Sequence, residues 1–216
     1  KFISNWIGNY VKNMPVSAKS LVIGVSGGID SSVSSTLSAL TGLKTIVLCM
    51  PIKQHKSQHD LSIKHKDWLM KNFSNVEGHV IELDNLFKSF ENNLSNFQNE
   101  HGFANSRARL RMTTLYQVAA ANNGIVVGTG NKVEDFGVGF YTKYGDGGVD
   151  ISPIADCNKS EIWEIGKELN ILQEIIDAPP TDGLWDDGRT DEGQLGMSYK
   201  DIELAMNDPK SPNREK

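Results

Sequence analysis

The chain has 216 residues, 38% hydrophobic and 23% charged, the proportions of an ordinary globular protein with one core. Lys and Arg number 22 against 27 Asp and Glu, a formal net charge of −5, which argues against a surface built to grip nucleic acid. No apolar run approaches the roughly 18–20 residues of a membrane-spanning helix, and two scattered cysteines, Cys49 and Cys157, make neither a disulfide framework nor a zinc site, so a reducing cytoplasm is the expected compartment.

Lys1–Met14 places Phe2, Ile3, Trp6, Ile7, Tyr10, Val11 and Met14 at helical spacing, which predicts an amphipathic helix rather than a secretory leader. The chain opens on Lys1 instead of Met, as a trimmed fragment would. Ser20–Val25 is apolar without alternation and reads as a buried strand. After a Gly/Ser turn, Val33, Leu37 and Leu40 fall on one helix face. Thr45–Met50 is a second strand, stopped by Pro51. Ser57 and Asp60 have capping-box spacing and are expected to open a helix carrying Leu61, Trp68 and Leu69. A third strand is expected over Val80–Leu83, then a weaker helical stretch with Leu86, Phe87, Phe90, Leu94 and Phe97. Ala104–Ala121, Ala-rich and free of Gly and Pro, is the strongest helical signal. Ile125–Gly128 and Ile151–Ile154 read as fourth and fifth strands, and Asn158–Leu169 as a helix.

Ile52–Gln58 and Ala178–Gln194 show no periodicity. The second is crowded with Pro, Gly and Asp, includes Trp185, and is expected to be a long loop of the kind that covers a ligand. Of the five histidines, His55 and His59 are four apart, but the polar run after Pro51 predicts a loop there rather than a metal-binding helix. Buried strands alternating with helices predict a single domain over 1–216. Its expected fold is a doubly wound α/β fold with a mainly parallel five-stranded sheet and helices on both faces.

The chemistry-bearing motif follows the first strand: Gly24-Val25-Ser26-Gly27-Gly28-Ile29-Asp30-Ser31-Ser32. In an open α/β sheet, ligands bind beyond the carboxyl ends of the strands. Adjacent glycines allow a tight turn and close approach of a phosphate, while loop N–H groups, a helix N-terminus and three serine hydroxyls offer donors to an anion. The sequence is neither a Walker A loop nor Gly-x-Gly-x-x-Gly. An acidic residue in a phosphate cradle would repel its ligand unless a cation stood between them, so Asp30 points to magnesium. A serine-capped Gly-Gly turn is the purely structural alternative.

Ser26-Gly27-Gly28-Ile29-Asp30-Ser31 resembles the pyrophosphate loop of the ATP pyrophosphatases. That group includes NAD, GMP and argininosuccinate synthetases and tRNA-modifying ligases, which cleave ATP to AMP and pyrophosphate. The resemblance implies an adenine nucleotide alpha-hydrolase-like fold. Ala104–Met112, Gly128–Glu134 and Thr142–Asp150, with Asp191-Glu192, Leu195-Gly196 and Tyr199, are similar in order to the ammonia-dependent NAD synthetases.

The resemblance implies ATP as co-substrate, bound by Gly24, Ser26, Gly27, Gly28, Asp30, Ser31, Ser32, Thr129, Lys159 and Thr181, with Lys159 neutralising phosphate. It implies Mg2+ held by Asp30 and Glu134, with Asp135 adjacent as the other candidate ligand. Arg109, Lys143 and Asp150 are implied contacts of deamido-NAD, and Asp146 a carboxylate to hold ammonium, making Asp146 and Lys159 the implied catalytic residues. Arg107 and Arg111 share a helix face and Arg109 lies about 200° around, so the three cannot serve one pocket. Gly145, Gly147 and Gly148 suit close backbone approach to a ligand.

The expected reaction joins deamido-NAD and ammonia, with ATP giving AMP and pyrophosphate. A homodimer is implied, with no membrane and no nucleic-acid partner. In 216 residues there is no room for a glutaminase domain, so ammonia is the expected donor. The family's C-terminal His-Lys pair does not occur before Lys216, and truncation is the expected reason. A tRNA-modifying ligase would need a basic surface, and a non-enzymatic nucleotide sensor would not need Arg109, Lys143 and Asp150.

Overall fold

In the computed structural model, residues 1–181, 190–208, 210 and 211 are described. Strands β1 (Ser20–Gly24), β2 (Lys44–Cys49), β3 (Val76–Val80) and β4 (Gly124–Val126) pair in parallel in the order β3-β2-β1-β4. The two central strands carry apolar runs, Leu21–Ile23 and Ile46–Cys49, because both faces of the sheet are covered there. Leu21, Ile23, Val47 and Cys49 point into one core, where α1 (Phe2–Asn13), α2 (Ile29–Ala39), α3 (Lys56–Asn72), α6 (Lys159–Glu168) and α7 (Gln173–Ile176) pack. Val22, Ile46 and Leu48 point into the other, against α4 (Asp84–Asn93) and α5 (Glu100–Ala121), which bring Phe87, Met112 and Leu115. Among the described residues, no helix is long and apolar enough to cross a membrane.

Four expectations need correction. The fifth strand reduces to one bridge, Val127 to Ile151. Pro153 has no N–H to extend a ladder, and Ala155 N–H turns back to the Ser152 carbonyl at 3.2 Å. The third strand lies earlier than Val80–Leu83. Val76–Val80 is the half-exposed edge of the sheet, so its Glu77, Gly78 and His79 lack the apolar run expected of a central strand. Ser57 does not cap α3, which starts at Lys56 after His55 and takes in His59. The capping box stands instead at α6, where Asn158 N–H donates to Glu161 Oε2 at 2.7 Å. The long helix begins at Glu100, earlier than expected, because the Asn99 side chain accepts the Gly102 N–H at 2.7 Å.

In α1, Ile7 and Val11 are buried while Phe2, Trp6 and Tyr10 are exposed. α2 is serine-rich yet buried. Thr36 and Ser38 hydroxyls donate to carbonyls four residues back, at 2.7 and 2.8 Å, which satisfies them inside the core. α6 comes so close that a Cβ on Gly166 would stand 2.7 Å from Ile29 Cδ1. That close crossing brings the start of α6 to the start of α2.

His65 of α3 is fully buried, stacked on Trp68, with Nε2 3.0 Å from Ser35 Oγ. Burial pushes its pKa down to about 4. The unfolded chain therefore binds the proton first, and a share of stability approaching ~3 kcal/mol, present above about pH 6.5, is lost as pH falls through about 4. His65→Gln is expected to flatten the fall of melting temperature over that window in a circular-dichroism series; an unchanged slope would refute this account.

Candidate active site

Sequence order turns around at β1, with β2 and β3 on one side and β4 on the other, so the carboxyl ends of β1 and β4 bound the crevice where such folds place ligands. The loop after β1 lies in that crevice. Gly27 adopts φ +92, and a Cβ there would stand 2.7 Å from Gln58 O and 2.8 Å from Ser62 N of α3. Gly27 thus serves the turn and the packing, whereas Gly28 faces the cavity with only Ser26 Oγ nearby. Ser31 Oγ donates to Gly28 O at 3.0 Å and accepts the Ser26 N–H at 3.2 Å. Ser32 Oγ donates to the same carbonyl at 2.9 Å from a fully buried position. Ser32 shapes the loop from behind and does not line the cavity.

Four elements converge beside the loop. Asp30 comes from the first turn of α2, Glu134 from a π-helical turn at Val133–Val138 with Asn131 just before it, and Lys159 from the first residue of α6. Such π turns recur at functional sites. Tyr199 comes from α9 (Tyr199–Asn207), which follows the short helix α8 (Asp191–Leu195). Lys159 Nζ lies 2.5 Å from Asp30 Oδ2 and 2.8 Å from Glu134 Oε1. Asn131 Nδ2 donates to Asp30 Oδ1 at 3.0 Å, while Asn131 Oδ1 accepts the N–H groups of Val133 and Glu134. Tyr199 Oη donates to Glu134 Oε1 at 2.6 Å, and its ring centroid is 4.8 Å from Lys159 Nζ.

Lys159 is 1% exposed, yet its pKa is raised, because the two carboxylates outweigh its desolvation. Burial raises the Asp30 carboxyl against the Lys159 charge. Glu134 is lowered despite its burial, by the Lys159 charge and the bonds from Lys159, Tyr199 and Asn131. With two carboxylates for one ammonium, the cluster suits a further cation. Among the described residues, no three His, Cys, Asp or Glu side chains are grouped to hold a metal by themselves. Two carboxylates completed by phosphate oxygens is a magnesium-type arrangement, and the donor set fits one.

Asp135 does not reach Lys159. Burial, then the charges of Glu134, Asp146 and Asp30, push its pKa up to about 6. The folded state favours its protonated form, so this share of stability is present below about pH 4 and lost as pH rises through 6. Asp135→Asn is expected to raise the melting temperature at pH 7.5 by about 2–4 °C, roughly 1 kcal/mol after discounting for its partial exposure, with no gain at pH 4. Glu134→Gln in the same series should abolish turnover while Asp135→Asn retains it; the reverse result would identify Asp135 as the working carboxylate.

Of the residues the family resemblance implies for ATP, Gly24, Ser26, Gly28, Asp30, Ser31, Thr129, Lys159 and Thr181 line one cavity, together with Glu134 and Asp146. Gln58 Nε2 of α3 donates to Thr181 Oγ1. The residues implied for the dinucleotide lie outside this cavity. Arg109 Nε donates to the Lys143 carbonyl at 3.0 Å, and Lys143 Nζ sits 5.0 Å over the Tyr144 ring. Asp150 holds loop to sheet, accepting Val126 N–H at 2.7 Å and Tyr116 O–H at 3.1 Å. Arg109 faces outward, away from the other two, as the spacing requires, while Arg107 is buried over Phe87 and Arg111, one turn on, lines the cavity, with Nε on the Met50 carbonyl at 2.9 Å.

Sequence reasoning missed Arg111, Gln54, Asn131 and the role of Tyr199. Gln54 lines the cavity and donates to the Ser26 carbonyl at 3.3 Å. Arg111 left a trace in its helix position opposite Arg109, and Asn131 and Tyr199 lie in segments that carry the family resemblance, but their contacts did not show in the sequence. Residues 182–189, Trp185 included, lie outside the described residues.

A model of the NAD synthase family matches residues 1–215. The NH3-dependent NAD+ synthetase of Carboxydothermus hydrogenoformans is 37% identical over 204 residues, which are 92% of this chain and 80% of that protein. Among solved structures, the NMN synthetase of Francisella tularensis superposes with a TM-score of 0.87 at 35% identity, over 95% of this chain and 83% of its own. The NH3-dependent NAD synthetase of Campylobacter jejuni superposes at 0.76 and 29% identity, over 100% of this chain and 82% of its own.

Proposed function

The chain belongs to the NAD synthase family, and from that premise we propose that it forms NAD by joining ammonia to deamido-NAD at the expense of ATP. The observation that carries this reading is the convergence of Asp30, Glu134 and Lys159 beside the Ser-Gly-Gly-Ile-Asp-Ser loop at the strand ends.

A nicotinate carboxylate resists ammonia because oxide is a poor leaving group. An oxygen of that carboxylate attacks the α-phosphorus of ATP, and the bond from that phosphorus to pyrophosphate breaks. Ammonia then attacks the acyl carbon, the bond to AMP breaks, and nitrogen loses a proton. The protein's share is positioning and charge. N–H groups at the start of α2, the Gly28 face of the loop, and Thr129 bind phosphate. Lys159 supplies positive charge where pyrophosphate departs. Asp30 and Glu134 would hold magnesium, which when bound neutralises phosphate charge. Asp146, tied to Thr142 N–H at 3.0 Å, lines the same cavity and would hold ammonium. Arg109, Lys143 and Asp150 would bind the dinucleotide on the outer face of α5. Exposed Tyr116 and Tyr144 beside them support a homodimer closing over that face, which sedimentation would test. A reducing cytoplasm is the proposed setting, in keeping with free Cys49 and Cys157.

A second acid, nicotinate mononucleotide, is the alternative acceptor, favoured by the likeness to the Francisella NMN synthetase. Purified protein with ATP and magnesium is to be given either acid, with ammonium or glutamine. NAD from deamido-NAD and ammonium is expected. Product from the mononucleotide alone would establish the second reading, and pyrophosphate release with neither acid would remove both.

A further inference from the structure

We propose that Lys159 is the built-in counter-cation of the Asp30–Glu134 pair in the nucleotide-free protein, and that a divalent ion takes that pair only together with nucleotide phosphates that draw the ammonium away. This rests on the reading of the cavity as a nucleotide site.

The geometry is specific. Lys159 Nζ bonds Asp30 Oδ2 and Glu134 Oε1 at once, so an ion using both of those oxygens needs the position the ammonium holds. Each carboxylate is fixed by a second donor, Asn131 on Asp30 and Tyr199 on Glu134, so the pair cannot open easily to take both cations. The Tyr199 ring stands against Nζ, leaving the cavity beside Gly28 and Thr129 as the open direction. Two cations crowded into a site shielded from water repel strongly. Phosphate oxygens in the cavity change the balance: the flexible lysine stem lets Nζ move to them, and the two carboxylates then face the incoming ion. Metal and nucleotide binding are thereby coupled, each favouring the other.

The probe is Mn2+, read by its electron paramagnetic resonance, with the full chain as wild type and as Lys159→Met, without nucleotide and with a non-hydrolysable ATP analogue. Wild type without nucleotide is expected to bind weakly, with Kd above about 1 mM, and Lys159→Met at least about tenfold more tightly. Mn2+ should also raise the melting temperature of Lys159→Met more than that of wild type. If the variant does not fold, wild type alone decides. Weak binding that becomes tight with the analogue, beyond the analogue's own affinity for Mn2+, supports the proposal. Saturable binding below about 100 μM without nucleotide overturns it, as does a folded variant that binds no better than wild type. The functional reading is judged separately, by NAD formation: wild type that makes NAD yet binds Mn2+ tightly without nucleotide loses this inference alone.

Discussion

Asp30→Asn is expected to slow NAD formation by about a hundred- to a thousandfold, the usual cost of losing one element of charge stabilisation at a reacting phosphate. The fold should survive, for a reason visible in the cluster. Wild type holds two carboxylates against one ammonium, and the variant leaves Lys159 and Glu134 as a balanced pair at 2.8 Å. Removing the only partner of a buried charge is costly, but here Lys159 keeps one. Burial already disfavours the Asp30 charge, so the cost of the amide lies in its NH2, which must face either Lys159 or the Asn131 amide, a local loss of about one hydrogen bond. The check is paired: initial rates over a magnesium titration, and thermal melting of the same preparation. Turnover within threefold of wild type would remove Asp30 from the chemistry, and a collapsed melting temperature would show that its role is structural.

Gly27→Ala should have the largest effect on stability. An L side chain at φ +92 is strained by about 1–2 kcal/mol, and forcing a methyl into a packed site adds about 1–3. The Cβ would meet Gln58 O and Ser62 N, both backbone atoms of α3, so the helix itself must shift. A total of about 3 kcal/mol corresponds to a melting temperature lower by about 6–12 °C. Gly28→Ala is the control. Gly28 has φ −84, and its added Cβ meets only Ser26 Oγ, at 3.5 Å. It should melt like wild type but lose activity, because that Cβ points into the cavity where phosphate would lie. Equal melting of the two variants would show that the turn tolerates side chains and that the packing argument is wrong.

The central strands were legible because they are buried on both faces and so carry unbroken apolar runs; the edge strand was not. Val76–Val80 alternates glutamate, glycine and histidine, and the better apolar run beyond it misplaced the strand toward Val80–Leu83. The fifth strand failed because Ile151–Ile154 contains Pro153, whose missing N–H limits pairing to the Val127–Ile151 bridge. The α3 boundary was misread because Ser57 matched a capping pattern, while the helix was already running from Lys56.

Local sequence alone determined the pyrophosphate-type loop after β1, the doubly covered parallel sheet, and the family to which the chain belongs, since these rest on short-range patterns and residue order. The tertiary structure decided which side chains meet. Asp30 and Lys159 are 129 residues apart and touch because Gly166 lets α6 close on α2. Tyr199 reaches Glu134 across 65 residues because α9 packs on the π-helical turn. No sequence spacing encodes such contacts. They arise where helices from distant parts of the chain bury apolar faces against one another, and the charges at their ends are carried together.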